Sequence, residues 1–85
     1  MNESVYDILK REVRNLVLAD LAHNDIEARR ADLTIMVVEL QNSLYKVFCS
    51  FKNSIPLYEI TYLVEDDRLK VYTFVVYPNN PFFKE

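Results

Sequence analysis

The chain has 85 residues, a formal net charge of −3 and no glycine, where ordinary usage would supply roughly six. Without glycine, neither a G-x-x-x-x-G-K-[ST] phosphate loop, a G-x-G-x-x-G dinucleotide turn nor an EF-hand calcium loop can be written. Each of these needs backbone at positive φ or pressed against its ligand. The charges are mixed along the chain, so composition shows neither the basic face that draws duplexes nor a dense carboxylate surface that imitates one.

In chain order, Val5, Ile8, Leu9, Val13, Leu16, Val17 and Leu21 recur at threes and fours. That spacing predicts an amphipathic helix over about residues 4–23. Ser4 suits its N-cap, and Asp7 places negative charge at the positive end of the helix dipole. The stripe fades at His23-Asn24-Asp25, where Asn24 is expected to take the left-handed conformation that glycine would otherwise provide. Residues 25–32, DIEARRAD, read equally as one more helical turn or as a solvated connection.

After Asp32, β-branched and aromatic residues dominate, and turn residues arrive about every ten positions. Four strands are predicted, over about 33–40, 44–52, 56–65 and 69–77. The links Gln41-Asn42-Ser43, Asn53-Ser54-Ile55 and Asp66-Asp67 are short, which favours an antiparallel meander. Pro78-Asn79-Asn80-Pro81 stops the last strand and leaves Phe82-Phe83 at the tip of a tail over 78–85. The fold expected is α+β, an N-terminal amphipathic helix packed on a four-stranded antiparallel β-meander (α-β-β-β-β), as a single domain over 1–85.

Pleat parity then assigns faces. Two-residue links at Asp66-Asp67 and Asn53-Ser54 put Tyr45, Val47, Cys49, Phe51, Tyr58, Ile60, Tyr62, Val64, Leu69, Val71, Thr73, Val75 and Tyr77 on one surface beneath the helix. For the first strand, a two-residue Asn42-Ser43 link adds Met36, Val38 and Leu40, whereas a three-residue link adds Ile35, Val37 and Glu39. The former is preferred, because it pairs Glu39 with Lys46 outside and buries no carboxylate. The opposite face then carries Leu33, Ile35, Val37, Leu44, Phe48, Leu57, Leu63, Tyr72, Phe74 and Val76 among Lys46, Ser50, Thr61, Glu59 and Lys70. A surface so apolar is expected to meet a partner, with Val37, Phe48, Leu57, Tyr72, Phe74 and Val76 as the interface, unless residues 25–32 and Phe82-Phe83 fold over it.

Catalytic residues are not expected. His23 is the lone histidine and suits a helix C-terminus, while Cys49 alternates onto the core face as a small hydrophobe. One histidine and one cysteine cannot complete a usual zinc site, and Glu65-Asp66-Asp67 reads as turn chemistry, so neither metal nor cofactor is expected. Lys10, Arg11 and Arg14 form a modest basic patch on the helix, extendable by Arg29 and Arg30. The aromatics that could stack bases beside them, Phe48, Tyr72 and Phe74, sit on the sheet instead.

No apolar run is long enough for a membrane span, the N-terminus lacks a signal-peptide core, and the lone Cys49 fits a reducing, cytoplasmic setting. The expected function is a non-catalytic protein-protein interaction module, partnered by itself as a homodimer or higher oligomer or by another protein. It would suit an accessory or inhibitor protein of phage, viral or mobile-element origin. The alternative is an oligomeric nucleic-acid-binding protein using the aromatic sheet face or the helix arginines.

Overall fold

The computed structural model describes residues 4–51, 56–66 and 68–77. Helix α1 (Val5–His23) leads through a 3₁₀ turn (Arg30–Asp32) into strands β1 (Leu33–Gln41), β2 (Leu44–Phe51), β3 (Pro56–Glu65) and β4 (Arg68–Val76). The strands form one antiparallel sheet in the order β1-β2-β3-β4. The expected α+β meander is therefore present. The predicted link at Asn53-Ser54-Ile55 and the tail over 78–85 with Phe82-Phe83 lie outside the described residues.

Both ends of α1 are built from its sequence. The Ser4 hydroxyl accepts from the Asp7 amide at 3.2 Å and so satisfies one of the donors a helix start leaves free. At the other end the Asp25 amide donates to the Ala22 carbonyl at 3.0 Å and the Ile26 amide to the Leu21 carbonyl at 2.9 Å. This is a Schellman closure, in which the residue after the cap normally is glycine. Asp25, at φ 61°, holds that position, one residue beyond the predicted Asn24, whose φ is −99°. The following Ile26 packs against the core, the hydrophobic contact that accompanies such closures.

Residues 25–32 are thus a connection closed by a single 3₁₀ turn. The Arg29 amide donates to Asp32 Oδ2 at 3.0 Å, and Arg30 Nη1 donates to Asn15 Oδ1 at 2.5 Å, which ties the connection to the helix. It lies beside Leu18 and Ala22 and does not cross to the far side of the sheet.

The helix buries Leu9, Val13, Val17 and Leu21 completely, a strict every-fourth-residue stripe that leaves the predicted Leu16 at the exposed rim. Each such burial contributes about 1.5–3 kcal/mol before entropy is counted. Beneath the stripe lie Leu33, Ile35, Val47, Cys49, Leu57, Tyr58, Ile60 and Tyr62. Two contacts orient the helix. The Tyr6 ring meets Tyr45 edge-on at 5.8 Å, and the Tyr58 hydroxyl donates to Asp20, so α1 runs antiparallel to β1 and lies closest to β1 and β2.

Pairings between β2 and β3 follow the predicted parity, with Tyr45 opposite Tyr62, Val47 opposite Ile60 and Cys49 opposite Tyr58. The outer strands depart from it through β-bulges, where one strand carries an extra residue. In β1 the link is two residues long, Gln41 opposing Leu44, yet Leu40 is inserted between Glu39 and Gln41. The parity upstream inverts, so Leu33, Ile35 and Val37 lie under the helix and Met36 and Val38 face away. The preferred first-strand register is corrected accordingly. Its premise, that Glu39 would otherwise be buried, fails because Glu39 sits beside Tyr45 at the exposed end of the sheet.

In β4, Leu69 and Val71 pair with Val64 and Tyr62 as expected, but Thr73 then opposes Thr61, leaving Tyr72 as the extra residue. Beyond it Phe74 and Val76 turn to the helix side, opposite Ile60 and Tyr58, while Thr73, Val75 and Tyr77 turn away. A third bulge, between Cys49 and Ser50, inserts Leu57 beside Tyr58, and both side chains are buried.

Candidate interaction surface

The bulges move apolar residues between faces, and the expected partner face changes with them. Leu33, Ile35 and Val37 leave it for the core, and Leu57 has no accessible surface. Val37 and Leu57 therefore drop out of the expected interface. The far face that remains is mixed. Lys46 Nζ pairs with Glu59 Oε2 at 3.3 Å, and the Tyr77 hydroxyl donates to Glu59 Oε1 at 3.2 Å. The pairing of Glu39 with Lys46 expected from the sequence is replaced by this one. Thr61 is buried between them, and Phe48 and Leu63 flank the line half-buried. A half-exposed pair of this kind contributes a few tenths of a kcal/mol; its larger effect is to interrupt the apolar surface.

Exposed apolar surface is concentrated instead on β4. All but one of its nine residues are exposed. On the helix side Val71 is 49 % exposed, Phe74 41 % and Val76 36 %, because α1 lies over the other edge of the sheet. Phe74 leans on the Tyr58 ring at 5.5 Å, continuing the core outwards without a roof. On the other side Val75 is open, and Tyr72, thrown out by the bulge, is 69 % exposed. Of the six residues expected at an interface, the structure thus groups Tyr72, Phe74 and Val76 on this strand and leaves Phe48 two strands away.

A second, smaller apolar strip runs along the far side of β1, where Met36, Val38 and Leu40 are exposed. The two-residue parity expected for the first strand puts these three in the core, and the bulge at Leu40 reverses it. Apolar residues occupy both parities in each strand, at 33, 35, 36, 37, 38 and 40 and at 69, 71, 72, 74, 75 and 76, so the two-residue alternation carried no signal of either bulge.

Two groups with chemistry, Cys49 and Tyr58, are buried beneath the helix. Cys49 is buried under the helix, and burial pushes its thiol up to about 12 against a smaller opposing pull from the Arg14 charge. A thiol so raised is not a nucleophile at neutral pH. Tyr58 is likewise raised well above the ordinary phenol range, first by burial and then by its bond to the Asp20 carboxylate. His23 ends the helix, exposed. Among the described residues, no three His, Cys, Asp or Glu side chains are placed to share a metal ion.

The basic patch is uneven. Arg11 is exposed, whereas Lys10 is half-buried and Arg14 tucks its Nε out of solvent towards the sheet. Arg29 pairs with Asp32 at 3.4 Å and Arg30 with Asn15, so neither extends the patch freely. Among the described residues no helix is long and apolar enough to cross a membrane. No family model, no curated protein and no solved structure matches the chain.

Proposed function

We propose that the protein is a non-catalytic interaction module that associates with a second copy of itself, in the cytoplasm, as a small accessory or inhibitor protein of phage, viral or mobile-element type. One observation carries the self-association: β4 exposes apolar side chains on both faces and stands at a sheet edge, an arrangement that proteins rarely leave in water. The burial of Cys49 and the turn role of Asp66 support the non-catalytic part. A nucleic-acid reading draws less support, since Lys10 and Arg14 are half-buried, Arg29 and Arg30 are engaged by Asp32 and Asn15, and among the described residues the exposed aromatics of β4 have no basic groove beside them.

Sedimentation equilibrium across a concentration series tests the reading. The expected result is a mass approaching twice the 10.1 kDa chain at tens of micromolar. A mass of one chain at every concentration overturns it. Mobility assays with single- and double-stranded nucleic acid at two salt concentrations serve as the parallel check, and salt-sensitive binding would favour the alternative.

A further inference from the structure

Resting on that self-association, we infer that two copies join edge to edge, β4 antiparallel to β4 about a dyad at Val75, into one continuous eight-stranded sheet. The register follows from the backbone. The Tyr77 amide donates inward to the Leu57 carbonyl at 3.1 Å, and Val75 and Thr73 share its parity. In an antiparallel ladder the alternate residues point their N–H and C=O the other way, so Phe74 and Val76 present theirs to the open edge. A dyad at Val75 sets Phe74 opposite Val76 of the second copy. That is a hydrogen-bonded pair that exchanges both bonds and is repeated on the other side of the axis.

Side chains agree with that register. On the helix side, Phe74 and Val76 of each copy form one apolar strip continuous with Tyr58. On the far side, Val75 meets Val75 across the axis. Between Thr73 and Tyr77 there is no charged residue. The cations of β4, Arg68 and Lys70, precede the joint and fall at opposite ends of it, whereas a parallel arrangement would set each against its own copy.

The bulge at Tyr72 bends the strand just before this segment and confines the ladder to it. Pairing β4 with β1 of another copy would instead be head-to-tail and would leave an edge open for growth. The bulge at Leu40 and the charge of Glu39 blunt β1 against that use. A symmetric joint closes on itself.

Val75 is the probe, because it is 42 % exposed and faces its own copy. Val75→Lys and Val75→Glu are each expected to sediment as monomers, half the wild-type mass, with circular dichroism unchanged, and an equimolar mixture is expected to regain the dimer mass. Val75→Cys is expected to form an interchain disulfide rapidly under mild oxidation, since a non-hydrogen-bonded antiparallel pair spaces its Cα atoms about 4.5 Å apart, within disulfide reach. Met36→Cys on β1, more open to solvent than Val75, is the collision control. A wild-type chain that stays monomeric overturns both this inference and the self-association beneath it. A dimer that survives Val75→Lys, or in which Val75→Cys cross-links no faster than Met36→Cys, overturns the β4 joint alone and leaves self-association standing.

Discussion

The two edges of this sheet carry similar amounts of apolar sequence and meet opposite fates. β1, LTIMVVELQ, buries Leu33 and Ile35 beneath the helix and the 3₁₀ turn, ends in a bulge and presents Glu39 to solvent. β4, RLKVYTFVV, is exposed on both faces except at Leu69, which packs against the core. The difference is one of position: a 19-residue helix reached through a short connection packs near the strand that connection feeds, and its width does not extend to the fourth strand. An apolar strand thus becomes core or surface according to how far it lies from the lid, and β4 leaves most of its hydrophobic residues uncovered by α1.

Substitution at matched positions should break this contrast most visibly. Ile35→Asp on β1 is expected to abolish cooperative folding, costing several kcal/mol, because it puts an unpaired carboxylate under the helix. Val71→Asp on β4 is expected to cost about 1 kcal/mol or less in denaturant titrations at a concentration where the chain is monomeric. Equal losses would mean that the helix covers both edges. Next in size, Tyr58→Phe should cost about 1–2 kcal/mol, through loss of the bond to Asp20 that fastens the helix over β3.

Alkaline titration sharpens the same comparison, since Cys49 and Tyr58 both lie under the helix. The Cys49 thiol ionises at 9.0 when unfolded and at about 12 in the native chain, so the unfolded state gives up a proton that the folded state keeps. Its contribution is complete below pH 9 and is lost as pH rises through the window from 9 to 12, with Tyr58 adding in the same direction. Cys49→Ala should flatten the fall of stability with pH over that window; an unchanged slope would assign the effect elsewhere. The smallest effect is expected at the turn serving β1. Ser43 sits at φ 67°, so Ser43→Gly should stabilise by up to about 1 kcal/mol, and loss of stability would deny that the position is strained.

Much of this architecture could be read from residue order. The helix and its Ser4 cap, four strands, the meander and the shared face of β2 and β3 all follow from local spacing. The parity of the outer strands did not, because each hides a bulge, at Leu40 and at Tyr72, that reverses every side chain on one side of it. One inserted residue in each strand moved Ile35 and Val37 inward and returned Phe74 and Val76 to the helix side. Of the residues expected at an interface, Tyr72, Phe74 and Val76 are therefore exposed together on an edge rather than across the back of the sheet.

Composition and spacing alone determined the class of fold, the exclusion of glycine-dependent chemistry and the surplus of apolar residues over what one helix can cover. These are properties of hydrophobic period and backbone freedom, which are local. Where that surplus lies was decided only in three dimensions. Bulges form when a strand's pattern must be reconciled with its neighbour and with the lid, and the lid's placement depends on contacts between residues as distant as Asp20 and Tyr58.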